Sequence, residues 1–221
     1  MGTENLLTLD LFGKEKPLRV LYLGAHSDDI EIGCGGSIIK MIKQLHHVDV
    51  HWTVFSSDDI RAEEARRSTS ILLKDVKLKT VDILNFKESY FPYLGASIKD
   101  YFEKLKQRIS PDVIFTHYRN DAHQDHRVIC ELTWNTFRSN LILEYEIPKY
   151  DGDIGSPNTY MYIDKEDVER KLGHILETFK SQQEREWFNE ETLRSILRIR
   201  GVECNSPTNY AEGFYCRKIV L

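Results

Sequence analysis

The chain has 221 residues, with 30 basic against 35 acidic side chains and a formal net charge of −5. A domain of this length buries roughly 70% of its unfolded surface, so a self-sufficient core needs no disulfides. The charge balance excludes the basic excess of a nucleic-acid binder and the extreme charge of a disordered acidic chain. No stretch approaches the ~18 consecutive apolar residues of a membrane span. The run Leu6–Phe12 is short, contains Asp10 and lacks a basic leader, so it does not read as a signal peptide. Leu6 stands where a myristoylation pattern needs Ser or Thr. Cys34, Cys130, Cys204 and Cys216 are far apart and form no CxxC pair. They read as buried thiols in a reducing compartment, which predicts a cytoplasmic protein.

The predicted elements alternate. Leu18–Gly24 is a mostly apolar run ending at glycine, as a buried strand does. Ile38, Ile39, Ile42 and Leu45 recur at helical steps and predict a helix over about 35–45. Val48–Ser56 alternates as a strand, and Arg61–Leu73 reads as a helix with Ala65, Ile71 and Leu72 facing the core. A short strand near Val81–Leu84 follows. Ile98, Phe102, Leu105 and Ile109 mark the next helix, which Pro111 stops, and Asp112–Thr116 is a strand. A polar loop over 117–124 leads into a helix from Asp125 through Trp134. Strands near 141–147 and 159–163, a helix capped by Asp164, a helix over about 185–200 and a closing strand in 211–220 complete the chain. Strand and helix alternating over the first two-thirds predict one α/β domain, a mostly parallel sheet with helices on both faces.

Two segments just past predicted parallel strands carry the chemistry, where ligands bind in open α/β sheets. The first is Ala25-His26-Ser27-Asp28-Asp29-Ile30-Glu31-Ile32-Gly33-Cys34-Gly35-Gly36. The second is His117-Tyr118-Arg119-Asn120-Asp121-Ala122-His123-Gln124-Asp125-His126. Four of the eight histidines fall in these two loops. Imidazole and carboxylate are zinc ligands, and a catalytic zinc takes three protein ligands plus water. His26 and Asp29 sit one turn apart, and His123 and His126 share a helix face. One of the paired Asp residues can ligate while its neighbour moves protons, so metal-assisted hydrolysis is the chemistry predicted. The glycines of Gly33-Cys34-Gly35-Gly36 read as permitting a tight turn and close helix packing.

His26-Ser27-Asp28-Asp29, Gly33-Cys34-Gly35-Gly36 and His123-Gln124-Asp125-His126 together resemble the zinc-dependent N-deacetylases of the PIG-L/LmbE family. The resemblance runs on through Arg61-Ala62-Glu63-Glu64 to Tyr210-Ala211-Glu212-Gly213-Phe214. It implies a Rossmann-like fold and removal of acetyl from an N-acetylated amino sugar or its conjugate. By the same resemblance His26, Asp29 and His126 match the metal ligands and Asp28 the general base that activates the zinc's water. His123 matches the histidine that polarises the amide or assists amine departure, and Asp125 the acid supporting the histidines. Zn²⁺ is the expected cofactor, with Fe²⁺ or another divalent metal suited to the same donors. Ser27 and Gln124 stand where the family usually has Pro, and Ile30 where an acid often follows Asp-Asp. Ser27 should loosen its turn without removing a ligand.

Arg61 reads either as a substrate-binding guanidinium or as the partner of Glu63 or Glu64. Tyr90–Tyr93 could form an aromatic wall for a sugar ring, but aromatics at a loop more often serve packing. His117 reads as standing behind the metal shell, Gln182 and Glu212 are pocket candidates by resemblance alone, and His46, His47, His51 and His174 read as surface or structural. The competing reading is a noncatalytic sugar- or nucleotide-binding α/β module built on the glycine loop. The expected partner is a small-molecule N-acetyl sugar conjugate, with no nucleic acid. The composition is compatible with a self-associating ring or a monomer.

Overall fold

The structure is a computed structural model and describes residues 17–45 and 47–219. The Leu6–Phe12 run, His46 and the end of the predicted closing strand at Val220 lie outside the described residues. Seven strands form one sheet in the order β3-β2-β1-β4-β5-β7-β6. Strands β1 (Leu18–Gly24), β2 (Val48–Val54), β3 (Leu78–Ile83), β4 (Val113–His117) and β5 (Leu141–Tyr145) are parallel. Strand β7 (Ala211–Cys216) returns antiparallel between β5 and β6 (Thr159–Tyr162). The expected mostly parallel sheet is what is found.

Side chains alternate across the sheet and build a core on each face. Val20, Tyr22, Val113, Phe115 and Leu143 pack under α1 (Asp29–Gln44), α2 (Asp59–Leu72), α5 (Lys165–Thr178) and α6 (Glu190–Glu203). Leu21, Leu23, Ile114 and Ile142 face α3 (Gly95–Arg108) and α4 (Gln124–Thr136) through Ile98, Phe102, Leu105 and Ile129. Ala65 and Leu72 are buried as expected, whereas Ile71 is 42% exposed. The periodicity put Ile71 one step off the stripe. Helix α6 starts and ends later than its charged face suggested. Cys34, Cys130 and Cys204 are buried free thiols, while Cys216 is only half-buried.

Helix α1 begins six residues earlier than its apolar stripe, at Asp29, and breaks at Cys34 (φ −144°, ψ 18°). A break exposes N–H groups that need new acceptors. Glu212 on β7 supplies them, accepting from Gly36 N and Ser37 N at 2.7 Å each and from Ser37 Oγ. Lys171 neutralises this buried carboxylate at 2.7 Å and also donates to the Ile32 carbonyl across the break. Glu212 is therefore a helix anchor and not a pocket residue. The glycine donors that a ligand-cradling loop would need are taken.

Gly33 serves a different end. A Cβ there would lie 2.1 Å from the Tyr145 ring, which is fully buried and donates its hydroxyl to the Leu23 carbonyl at 2.6 Å. We expect Gly33→Ala to cost ~1–3 kcal/mol by overpacking. Gly173→Ala, in α5 with nothing within 4 Å of its Cβ, should be neutral or stabilising by up to ~1 kcal/mol. Urea unfolding of both variants checks the contrast, and equal effects would refute this role for Gly33.

Candidate active site

The strand order reverses between β1 and β4, which opens the crevice at their carboxyl ends where such sheets bind ligands. Pairing of Val20 with Val113 through Tyr22 with Phe115 sets the loop after β1 beside the loop after β4. The two motifs, about a hundred residues apart in sequence, thereby share one pocket.

Carboxylates fix the proton on each ring nitrogen there. His26 Nε2 lies 3.3 Å from Asp125 Oδ2, which favours a proton on Nε2 and leaves Nδ1 as the atom that would ligate once a cation replaces its proton. Asp125 is held in turn by the N–H groups of Ser89 (2.6 Å) and Phe91 (3.1 Å). His126 Nδ1 lies 2.9 Å from Asp121 Oδ2, which leaves its Nε2 lone pair free. These two nitrogens face each other at 3.2 Å. Asp29 closes the triangle, with Oδ2 3.4 Å from His26 Nδ1 and Oδ1 3.6 Å from His126 Nε2. A tetrahedral cation with bonds of ~2.0–2.1 Å spaces its donors at ~3.4 Å. The three sequence-predicted ligands are of the right donor type and lie near this spacing, with His26 and His126 facing different oxygens of Asp29.

Electrostatics match this geometry. Burial alone would raise the Asp29 carboxyl, but His126, His117 and His26 around it hold it well below the usual carboxylate range. Burial, with His117 adding, lowers His126 to about 3, so it is neutral and ready to ligate at pH 7. Burial opposes charge on His26 too, yet Asp29 and the hydrogen bond to Asp125 lift it to about 10. Unless a cation neutralises Asp29, a proton on His26 does so.

Asp28 and Asp29 are adjacent and differ in every respect. Asp28 occupies the N-cap position of α1 without capping it, and its Oδ1 accepts from Arg61 Nη2 at 2.7 Å. Burial raises its pKa, with Arg61 opposing and Asp29 adding. Arg61 stands in the first turn of α2, 3.7 Å from Glu88, with its buried Nε–H unpartnered. Its partner is neither Glu63, which faces Arg66, nor Glu64, which accepts from Ser181. The sequence alternative failed because Asp28 reaches Arg61 through the fold.

His123 caps α4, its Nδ1 accepting from Asp125 N–H at 3.2 Å. The ring proton therefore sits on Nε2, a donor for the pocket. Burial and then His26 lower its pKa, which keeps it neutral. The donor atoms of His26, His123 and His126 lie within 4.8 Å of one another, as do those of Asp29, His117 and His126. His123 Nδ1 is engaged by Asp125, and His117 Nε2 accepts from Ala25 N–H at 2.8 Å. In the His26, Asp29 and His126 set one ring nitrogen of each histidine and the Asp29 carboxylate face one another, with Asp29 Oδ2 also steadied by the His26 backbone N–H at 2.6 Å, so we favour it. His117 is fully buried, 3.2 Å from Asp29 Oδ2 and stacked on His126 at 3.9 Å. It ends β4 and packs against Asp29 and His126.

Both residues in the family's proline positions make side-chain ties. Ser27 Oγ meets Ser57 Oγ at 3.0 Å, and Gln124 Nε2 donates to the Ser89 carbonyl. The turn at Ser27 is thus fastened by a hydroxyl instead of loosened.

The cavity above the triangle measures about 190 Å³. Ile147, Lys149, Tyr150, Gln182, Arg185 and Trp187 form its outer wall. Of these only Gln182 was anticipated. Of the two readings of Tyr90–Tyr93, packing describes Phe91, which is in the core, while Tyr90 and Tyr93 are exposed away from the cavity lining. A larger hollow of about 480 Å³ opens at the other end of the sheet among Arg19, His51, Lys79 and Arg108. Its cations are already engaged by Asp112, Asp82 and the Leu73 carbonyl. It lacks any comparable catalytic set.

Residues 21–137 match the family model PIG-L, described as GlcNAc-PI de-N-acetylase. The uncharacterized deacetylase YaiS of Escherichia coli (strain K12) is 32% identical over 140 residues, 58% of this chain and 74% of YaiS. Two solved structures share the fold. N,N'-diacetylchitobiose deacetylase from Pyrococcus horikoshii, solved with an inhibitor, superposes with a TM-score of 0.66 at 24% identity. That match covers 93% of this chain and 87% of the other. GalB, a 4-carboxy-2-hydroxymuconate hydratase from Pseudomonas putida KT2440, gives 0.74 at 17% identity, covering 92% and 98%. With its family model spanning more than half of its length and both motifs in one pocket, the chain belongs to the PIG-L family.

Proposed function

We propose that this chain is a metal-dependent hydrolase that removes the acetyl group from an N-acetylated amino sugar or its conjugate. The observation that carries this reading is the triangle of His26 Nδ1, His126 Nε2 and Asp29 with Asp28 beside it in one cavity. The family match and the deacetylase names of the relatives support the bond class. His26, Asp29 and His126 would hold the cation, Zn²⁺ first and Fe²⁺ or another divalent ion second. A cation so held lowers the pKa of water toward neutrality and polarises an acyl oxygen.

The chain's own residues do the rest. Asp28, anchored through Oδ1 by Arg61, takes the proton of the attacking water on its other oxygen, and burial makes it a stronger base than an exposed carboxylate. His123, neutral with its proton on Nε2, donates to the oxygen that gains charge as the carbonyl becomes tetrahedral. The departing amine takes up the proton collected at Asp28. Asp125 keeps the His26 ring oriented. The buried Nε–H of Arg61 is a donor for a sugar hydroxyl, and Tyr150 and Trp187 supply the aromatic faces that a pyranose ring packs against. The free thiols suit a reducing cytoplasmic setting. No helix among the described residues is long and apolar enough to cross a membrane. A noncatalytic module built on the glycine segment has less support, because Glu212 occupies the Gly36 and Ser37 donors.

Purified protein dialysed against metal-free buffer should retain about one zinc-class ion per chain, and His126→Ala prepared alongside should lose it. Elemental analysis decides this, and equal metal in both would refute the ligand set. Acetate release from N-acetylglucosamine conjugates should stop after chelation and return with Zn²⁺. Asp28→Asn should keep its metal yet lose ~10²–10⁴-fold in turnover, and full activity in that variant would remove Asp28 as the base.

A further inference from the structure

Asp121 is 2% exposed and lies in the loop between β4 and α4. Its two oxygens serve His126 and His123, two of the three histidines of the second segment. Oδ2 accepts from His126 Nδ1 at 2.9 Å, and Oδ1 accepts from the backbone N–H of His123 at 2.8 Å. The same Oδ1 meets a cation, Lys149 Nζ, at 3.0 Å.

Lys149 comes from the segment after β5 and is nearly buried, its side chain 8% exposed. Its ammonium reaches Asp153 Oδ2 at 2.5 Å and the Ile147 carbonyl at 3.4 Å as well as Asp121. Two hydrogen bonds, to Asp153 and the Ile147 carbonyl, and the ion pair with Asp121 tie the ammonium to the chain although the residue lines the cavity. Asp153 Oδ2 also accepts from Ala122 N–H at 2.6 Å, next to Asp121. One lysine thus joins the loop after β4 to the segment after β5. Removing one partner of a buried pair leaves the other uncompensated and free to seek new contacts.

We propose that Lys149 is a positioning residue of the active site, acting through Asp121 to hold the His126 ring and the His123 backbone where the metal-hydrolase reading needs them. The inference rests on that reading, and metal affinity separates the two. Chelator-stripped protein would be titrated with Zn²⁺ against a chromophoric chelator as wild type, Lys149→Met, Lys149→Arg, Asp121→Asn and the Lys149→Met/Asp121→Asn double variant. Melting of each stripped protein would be recorded alongside.

Lys149→Met should weaken Zn²⁺ binding at least about tenfold, the size typical of lost support behind a metal-ligating histidine. Lys149→Arg should restore most of it. In the Asp121→Asn background the Lys149→Met change should add little, since its effect passes through Asp121. If Lys149→Met does not fold, Asp153→Asn removes one anchor of the same ammonium and should give a smaller loss in the same direction. A lowered melting temperature with unchanged Zn²⁺ affinity would make Lys149 merely structural and overturn the proposal. So would an undiminished effect of Lys149→Met in the Asp121→Asn background. A wild type that binds no Zn²⁺ would overturn the metal-hydrolase reading itself, and the inference with it.

Discussion

Two imidazole nitrogens facing each other across 3.2 Å, with a buried carboxylate completing the triangle, form an arrangement that water would dissolve in any flexible chain. Holding it requires that each histidine be fixed from its far side, because a ring with a free χ2 would turn its lone pair away. Asp125 does this for His26 and Asp121 for His126. Those carboxylates are themselves buried charges, and each is pinned by further donors: Ser89 and Phe91 for Asp125, the His123 backbone and Lys149 for Asp121. The site is a set of nested constraints, and the parallel sheet supplies the outermost one by setting β1 against β4.

This nesting explains why features remote from the triangle are specified so tightly. Tyr145 packs into the space left by Gly33, and its hydroxyl meets the Leu23 carbonyl at the end of β1. That hydroxyl is also 3.3 Å from His117, the ring stacked on His126. The break at Cys34 lets the first turn of α1 present Asp29 at one angle while the rest of the helix lies along the sheet. Glu212 and Lys171 close the gap that the break opens. None of these residues touches the cavity, yet each limits how far the ligands can move. A fold shared by deacetylases and a hydratase carries no reaction by itself; the argument for hydrolysis comes from the donors and their tautomers.

Much of this was legible in the sequence, for physical reasons. Apolar runs and 3.6-residue steps reveal buried strands and helices because burial is periodic, and ligand-bearing loops betray themselves by packing histidine and aspartate at strand ends. The break at Cys34 had no such signal, since the glycines around it suit a turn or a packed helix equally. Lys149, Tyr150 and Trp187 sit in segments without periodicity and reach the site only through the fold. Asp121 was within reach: it stands two residues before His123 and five before His126, close enough to support either ring. Arg61 was ambiguous locally, where Glu63 and Glu64 are nearest in sequence, and only the tertiary structure offers it Asp28. At Tyr90–Tyr93 packing prevails over a sugar wall because a 3-10 turn directs Phe91 into the core and leaves Tyr90 and Tyr93 exposed.

The adjacent aspartates show how one turn yields two opposite carboxylates. Both are buried, and burial pushes both upward. Asp29 is surrounded by three histidines whose combined pull overrides burial, so it stays ionised and suits a cation. Asp28 faces one guanidinium, which does not override burial, and the neighbouring Asp29 charge opposes its ionisation further. Environments that drive like groups apart are what acid–base chemistry near neutral pH requires. The separation depends on side-chain direction alone, since the two residues share a backbone turn. It is set at the start of α1, where Asp28 in the N-cap position turns toward Arg61 and Asp29, one residue on, turns toward the histidines. Because these surroundings set each pKa, the carboxylate turned toward the histidines is the ionised one and the carboxylate turned toward Arg61 is the more basic one, whichever residue supplies it.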